Sequence, residues 1–315
     1  MVKLIKKILF FILVISIVTI TINSLYIRQH KTAMDKFSFI PDTIQICNFG
    51  SSHGYYGFNY EDLKNYFDCF NFGLESQSLS YDYRLFQYYS DHIDEGAVIF
   101  IPVSYFSLFG TEESSRNEFL AKNKRYYSIL PASLIKEYDY KTAIYVRYLP
   151  SLASGTDDAI KTLLGQSNNE DWQRATTDIE ASESAEKRFY DHIGKQAFYN
   201  ANGDRIENQE EIDALYALVK GCQEKGAVPI LITTPFLHEY TDEVKENSPD
   251  FYDHFYSVID QVVRDTGVEY YYYAFDERFV NNYSWFINID HLNKEGARNF
   301  VDILMQEIVY AKGYF

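Results

Sequence analysis

Residues 48–54 read NFGSSHG and directly follow the apolar run TIQIC. Ser51, Ser52 and His53 therefore stand behind a glycine at the expected carboxyl end of a strand. A serine hydroxyl becomes a nucleophile when a base takes its proton, and an acid usually orients that base. The chain has seven histidines. His30 falls beside the N-terminal apolar segment, and His92, His192 and His254 fall in polar helical or irregular stretches and read as surface residues. His53 adjoins the serines, but neighbouring side chains in an extended turn point apart, which gives it a substrate-side role. His238 follows TTPF after another strand candidate and is a second substrate-side position. His291 lies in NIDHLNKEGA, just ahead of the last helix. In a doubly wound sheet that loop shares an edge with the loop after the first strand, so His291 is the expected base.

The elements around these residues alternate. TIQICNF is rich in β-branched residues and predicts a strand, a short polar-aromatic helix is expected over 60–66, and FDCFNFGL predicts a second strand. Leu85, Phe86, Tyr89 and Ile93 recur at helical spacing, and AVIFIPV (97–103) is apolar almost throughout, as in the middle of a parallel sheet. From about 111 to 206 the pattern lapses into polar, helix-prone sequence broken by SGTDD and GQSNNED. This insertion reads equally as a lid over the site or as a surface segment. Order resumes at Asn208, which pairs with Glu211 as a helix cap ahead of the stripe Ile212, Leu215, Val219 and Cys222. VPILITT, a helix over 249–266, VEYYYYA and a last helix over 294–310 complete the series. Strands alternating with helices predict an α/β fold with a parallel sheet of about five strands. Ligands of such sheets bind beyond the carboxyl ends of the strands, where GSSH falls.

The N-terminus has a different character. Residues 8–27 form an uncharged apolar run, about the ~20 residues that cross a bilayer core as a helix. Lys3, Lys6 and Lys7 precede it, which predicts a cytoplasmic tail (1–7), an anchor (8–27), a juxtamembrane linker (28–42) and an extracytoplasmic domain (43–315). The run is long for a signal peptide and no small-residue cleavage site follows it, so an uncleaved anchor is favoured over a cleaved leader. The formal net charge of −16 argues against a nucleic-acid partner. The 29 tyrosines read as packing and hydrogen-bonding groups before they read as sugar-stacking ones. Cys47, Cys69 and Cys222 are odd in number and read as buried small hydrophobes, their spacing fitting no zinc motif, and no metal or cofactor is expected.

NFGSSHG and FINIDHLNKEGA resemble the first and last motif blocks of the SGNH/GDSL hydrolases. More narrowly, they are similar to those of membrane-anchored proteins that modify cell-envelope polymers, the D-alanyl-lipoteichoic acid biosynthesis and alginate O-acetylation types. The resemblance covers roughly residues 40–315 without the insertion and implies a flavodoxin-like, three-layer SGNH fold. It implies Ser52 as nucleophile, with Ser51 in place of the family's aspartate, Gly73 as an oxyanion-hole N–H donor beside Ser52, and His291 as base. Two positions depart from the pattern. IPVSYFSLFG lacks the third-block asparagine, leaving Ser104 as the nearest polar substitute. Asn288 stands where the family has an aspartate three residues before the histidine. Asparagine can hold an imidazole but cannot stabilise its cation by charge, and it favours the wrong tautomer. Asp290 is the first alternative carboxylate, with Asp276 and Glu277 as looser ones. The implied function is an esterase or O-acyltransferase acting on acyl esters of an envelope polysaccharide. The alternative is a catalytically weak or inactive accessory protein that binds glycan or a membrane-bound O-acyltransferase.

Overall fold

A computed structural model describes residues 2–29, 34–110, 123–153, 160–161 and 172–315. They fall into two units: the N-terminal segment to Phe39 together with residues 123–153, and residues 40–110 together with 172–315. The breaks read at SGTDD and GQSNNED, and the start of the insertion at 111, lie outside the described residues.

The larger unit is α/β. Strands β1 (Ile44–Asn48), β2 (Cys69–Asn71), β3 (Ile93–Pro102), β4 (Val228–Thr233) and β5 (Glu269–Tyr272) form one sheet of order β2-β1-β3-β4-β5. Every pairing is parallel, with Asn48 opposite both Asn71 and Phe100, and Ile230 opposite Glu269. The chain leaves β1 toward β2, then crosses back to lay β3 on the other side. This order makes β1/β3 the switch point at which a crevice opens. Val98, Ile99, Phe100 and Ile101 are all buried, as the unbroken apolar run of a central strand requires. Each such side chain contributes about 1.5–3 kcal/mol on leaving water.

The helices of this unit are α2 (Ser52–Gly57), α3 (Leu79–Tyr89), α6 (Asp178–Phe189), α7 (Gln209–Glu224), α8 (His238–Asn247), α9 (Phe251–Thr266) and α10 (Lys294–Leu304). Helix α3 packs on α7, α7 also meets α9, and α10 packs on α2. Asn208 caps α7, its side chain accepting from the Glu211 N–H at 3.3 Å. A capping box at Thr177 and Glu180 starts α6. The sequence places a helix at 60–66, but residues 61–66 are turns and the helix instead starts at Ser52. SHGYYG, with two glycines, is a poor helix former, and packing of its Tyr56 side against α10 and the His291 loop overrides propensity. The α-helix expected to reach residue 310 ends at Leu304 and continues as one π-helical turn.

Tyrosines fill the space beneath β5. Tyr105 is buried and shares a 2.7 Å hydrogen bond with Tyr272, and Tyr270 shares one of 2.7 Å with Thr233. The rings of Tyr252, Phe255 and Tyr256 close around them. These tyrosines are packing groups. All three cysteines are free thiols, Cys47 and Cys222 being fully buried.

The smaller unit holds α1 (Val2–Gln29), α4 (Tyr140–Tyr148) and the short α5 (Pro150–Ala153). Helix α1 is about 42 Å long at ~1.5 Å per residue, and it is apolar enough to cross a membrane or to serve as a signal sequence.

Candidate functional site

Glycine at position 50 allows the chain to turn out of β1. Its φ is +108°, and a Cβ there would press on the Pro102 ring at 3.2 Å. The Gly50 N–H donates to Asp82 Oδ1 at 2.9 Å, which pins the turn to α3. Asp82 is buried without a cation. Its Gln77 partner at 2.6 Å and the Gly50 N–H offset burial only in part, so its pKa is pushed up to about 7.

Ser51 is the N-cap of α2, yet its hydroxyl does not cap the helix. It meets Ser104 Oγ at 2.9 Å, and Ser104 Oγ meets His53 Nδ1 at 2.8 Å. His53 Nε2 in turn lies 3.2 Å from Asp290 Oδ2. All four residues are buried. The order serine–imidazole–carboxylate is that of a triad, with the ring nitrogens exchanged relative to the serine proteases. The His53 ring meets Ser104 and Asp290, and no hydrogen bond joins it to Ser51 or Ser52. Side chains one and two residues apart on a helix do not face each other, so His53 reaches Ser51 only through the Ser104 hydroxyl.

Asp290 is the centre of a larger cluster. Arg188 Nε approaches its Oδ1 at 3.1 Å, while His291 Nε2 and His192 Nε2 lie 3.7 and 3.9 Å from its Oδ2. Burial opposes ionisation of this carboxyl. The neighbouring imidazoles, the Arg188 guanidinium and the His53 hydrogen bond outweigh it and hold the group well below the usual carboxylate range. Burial lowers His291 to about 4 and His192 to about 3, so both rings are neutral at neutral pH. His192 is thus part of the buried cluster, its Nδ1 3.0 Å from Tyr240 OH, and is not the surface residue its polar sequence context suggests. Sequence reasoning also passed over Arg188. The signal was available in the Thr177/Glu180 capping box and in Ala181 and Ala185, the buried side of a helix that carries Arg188 inward.

The His291 ring packs between His53 and Tyr56, with centroids 5.4 and 5.1 Å apart. Ser52 precedes Tyr56 by four residues and so shares that face of α2. Ser52 is half-buried, and His291 Nε2 is buried with no hydrogen-bond partner among the described residues. No hydrogen bond joins the two. Asn288 Nδ2 lies 3.1 Å from His291 Nδ1, and Asn288 Oδ1 accepts from the backbone N–H groups of Asp290 (3.2 Å) and His291 (3.0 Å). Those two N–H donors fix which way the amide faces. Its NH₂ must therefore donate to Nδ1, which leaves the proton of neutral His291 on Nε2.

The other sequence candidates lie elsewhere or are already engaged. The Gly73 N–H donates to Asn71 Oδ1 at 2.8 Å and is not presented to a reacting carbonyl. A Cβ at Gly73 would come within 2.6 Å of Gly54 C and Tyr55 N, so the residue serves close packing against α2. The Ser104 hydroxyl is held between Ser51 and His53. His238 is partly exposed and pairs with Asp242 at 3.2 Å. Asp276 is bound to Arg278.

His53, Asp290 and His291 place one ligand atom each within 4.8 Å of one another, a spacing that could hold a metal ion. The donor chemistry does not suit one. An ion would need the Nε2 lone pair that the Asn288 contact protonates, and it would share its carboxylate with the Arg188 cation. The sequence matches no protein-family model and no curated protein.

Proposed function

We propose that this chain is a membrane-anchored SGNH-type serine esterase or O-acyltransferase acting on acyl esters of an extracytoplasmic envelope polysaccharide. The observation that carries the reading is the His291 ring packed on the face of α2 that begins with Ser52, its Nε2 making no hydrogen bond among the described residues and lying 3.7 Å from Asp290 Oδ2. The parallel order β2-β1-β3-β4-β5, with this turn at its switch point, is what an SGNH-type fold requires. In this mechanism Ser52 Oγ attacks the acyl carbonyl as His291 Nε2 takes its proton. His291 returns that proton to the departing sugar oxygen as the ester C–O bond breaks. Water or a second sugar hydroxyl then accepts the acyl group from Ser52, and the serine proton is restored. Base action at Nε2 needs the proton on Nδ1, against the preference set by Asn288, so turnover by the chain alone is slow. A fluorophosphonate probe on the full-length protein tests the assignment. An adduct mapped to Ser52 and lost in Ser52→Ala supports it, and an adduct on Ser51 or Ser104 moves the nucleophile.

A second reading is favoured by the same Asn288 contact and by the commitment of the Gly73 N–H. In it the domain is a non-catalytic accessory that binds the glycan or a membrane-bound O-acyltransferase. Absence of labelling, together with absence of ester hydrolysis in the wild type and Asn288→Asp, would favour it.

A further inference from the structure

Residues 123–153 differ from the rest of the chain in charge and in what they expose. The segment carries five Lys or Arg against two Asp or Glu, in a chain of net charge −16. Tyr140, Ile144 and Tyr148 repeat every four residues along α4, and Leu152 continues the row into α5. All four are more than half exposed. Lys141 and Arg147 flank the row and are exposed. An exposed stripe of tyrosine and aliphatic side chains with basic neighbours is costly against water and suits the headgroup layer of a bilayer.

What covers this stripe follows from its attachment. Asn23, close to the end of the apolar run of α1, donates from Nδ2 to the Tyr148 carbonyl at 3.0 Å. Its Oδ1 accepts from the Ser151 N–H at 3.2 Å and the Ser151 hydroxyl at 3.0 Å. One amide thus satisfies an end carbonyl of α4 and a first-turn N–H of α5, groups a helix cannot satisfy itself. Asn23 and Tyr26, three residues apart on one face of α1, are buried while the flanking α1 side chains are exposed. The α4–α5 corner is therefore held about one helical turn before the apolar run ends, at the depth where hydrocarbon gives way to headgroups.

We propose that α4 and α5 lie in the interfacial layer of the bilayer that α1 spans, with Tyr140, Ile144, Tyr148 and Leu152 seated at the boundary between headgroups and acyl chains. The inference rests on α1 remaining as a membrane anchor and is independent of the chemistry at Ser52. The occupant is the lipid surface itself, with Lys141 and Arg147 placed to meet anionic headgroups.

The test uses full-length protein, its α1 confirmed by intact mass, in vesicles of phosphatidylcholine and phosphatidylglycerol. An environment-sensitive NBD dye is attached at Tyr148→Cys or Leu152→Cys in a Cys69→Ala background, with Lys220→Cys on α7 as the exposed control. The expected result at 148 and 152 is blue-shifted emission, loss of quenching by aqueous iodide and quenching by lipids brominated high on the acyl chain, with none of these at 220. Adding Asn23→Leu, which keeps the span apolar but removes the bracket, should return the 148 signal toward that of the control. Water-like emission and full iodide quenching at 148 and 152 would overturn the proposal. So would shielding that appears only when a second membrane protein is co-reconstituted, which would assign the stripe to a protein partner. If the mature chain lacks α1, the anchor reading fails by itself, and the mass measurement reports that separately.

Discussion

His53 and His291 stand on either side of the same carboxylate, and they differ in what their far nitrogen meets. His53 is held by an acceptor on one nitrogen, Asp290, and by a hydroxyl on the other, Ser104, which can donate or accept. That ring is wired for proton movement but sealed from solvent. The His291 ring packs against Tyr56 of α2, and an amide NH₂ occupies its Nδ1 and fixes the proton on Nε2. The difference teaches that position and protonation are separate requirements. In the mechanism proposed above, the loop before α10 is asked to meet the first, and the Asn288 amide withholds the second.

The sharpest way to break this contrast is Asn288→Asp. A carboxylate there still accepts from the two backbone N–H groups and offers its other oxygen to Nδ1, moving the imidazole proton off Nε2. Hydrolysis of a simple acyl ester should rise by roughly 10²–10⁴-fold, the upper figure being the reverse of the loss seen when the serine-protease carboxylate becomes an amide. ¹⁵N spectra of the His291 ring should show the change of tautomer, and an unchanged tautomer would sink the explanation.

The second prediction sets the Asp290 carboxylate against the one at Asp82. Asp82 has a folded pKa of about 7, raised by burial from an ordinary carboxylate value. Its contribution to stability is therefore full below about pH 4 and is lost as pH rises to about 7, by roughly 4 kcal/mol over that window. Asp290 is shifted the opposite way, so its contribution is present above the unfolded value and is lost as pH falls through its folded value. Denaturation midpoints measured from pH 4 to 7 should rise with pH more steeply in Asp82→Asn than in the wild type. Parallel curves would show that Asp82 is not the group responsible.

Arg188→Met should cost about 3 kcal/mol, because it leaves a buried carboxylate without its cation. Urea denaturation reads the loss directly, and a change below ~1 kcal/mol would mean that the imidazoles alone sustain the charge. The smallest effect is expected from Ser51→Ala. It removes one hydroxyl from the Ser51–Ser104–His53 chain at about 1 kcal/mol and leaves fluorophosphonate labelling intact if Ser52 is the nucleophile. Loss of labelling in Ser51→Ala would transfer the role.

The sheet was legible in the sequence because its strands are apolar runs bounded by polar turns. VPILITT contains β4, TIQIC all of β1 but Asn48, and AVIFIPV the buried run of β3 from Ala97 to Pro102, whereas Ile93, expected on a helical stripe, opens that strand instead. The placement of Asn288 near His291 follows from three-residue spacing in a tight loop. Helix α2 was not legible, since glycine and tyrosine form it only under tertiary contact, and the Ser104 and Asp290 partners of His53 lie far off in sequence. Arg188 and His192 were hidden for a different reason. They reach Asp290 across about a hundred residues of sequence: the capping box and Ala181/Ala185 mark the helix and its buried face, but nothing local names the distant anion which that face meets.

The tyrosines beneath β5 have an optical consequence. Burial raises the phenol pKa of Tyr105, Tyr252, Tyr256, Tyr270 and Tyr272 above that of free tyrosine. In the folded domain these rings stay un-ionised at a pH where free tyrosine is already phenolate. Spectrophotometric titration in base should therefore be biphasic, a gradual rise near 295 nm followed by a cooperative step as the domain opens. The size of that step counts the phenols of the core, so these five tyrosines become a built-in absorbance gauge of whether β5 is still in place.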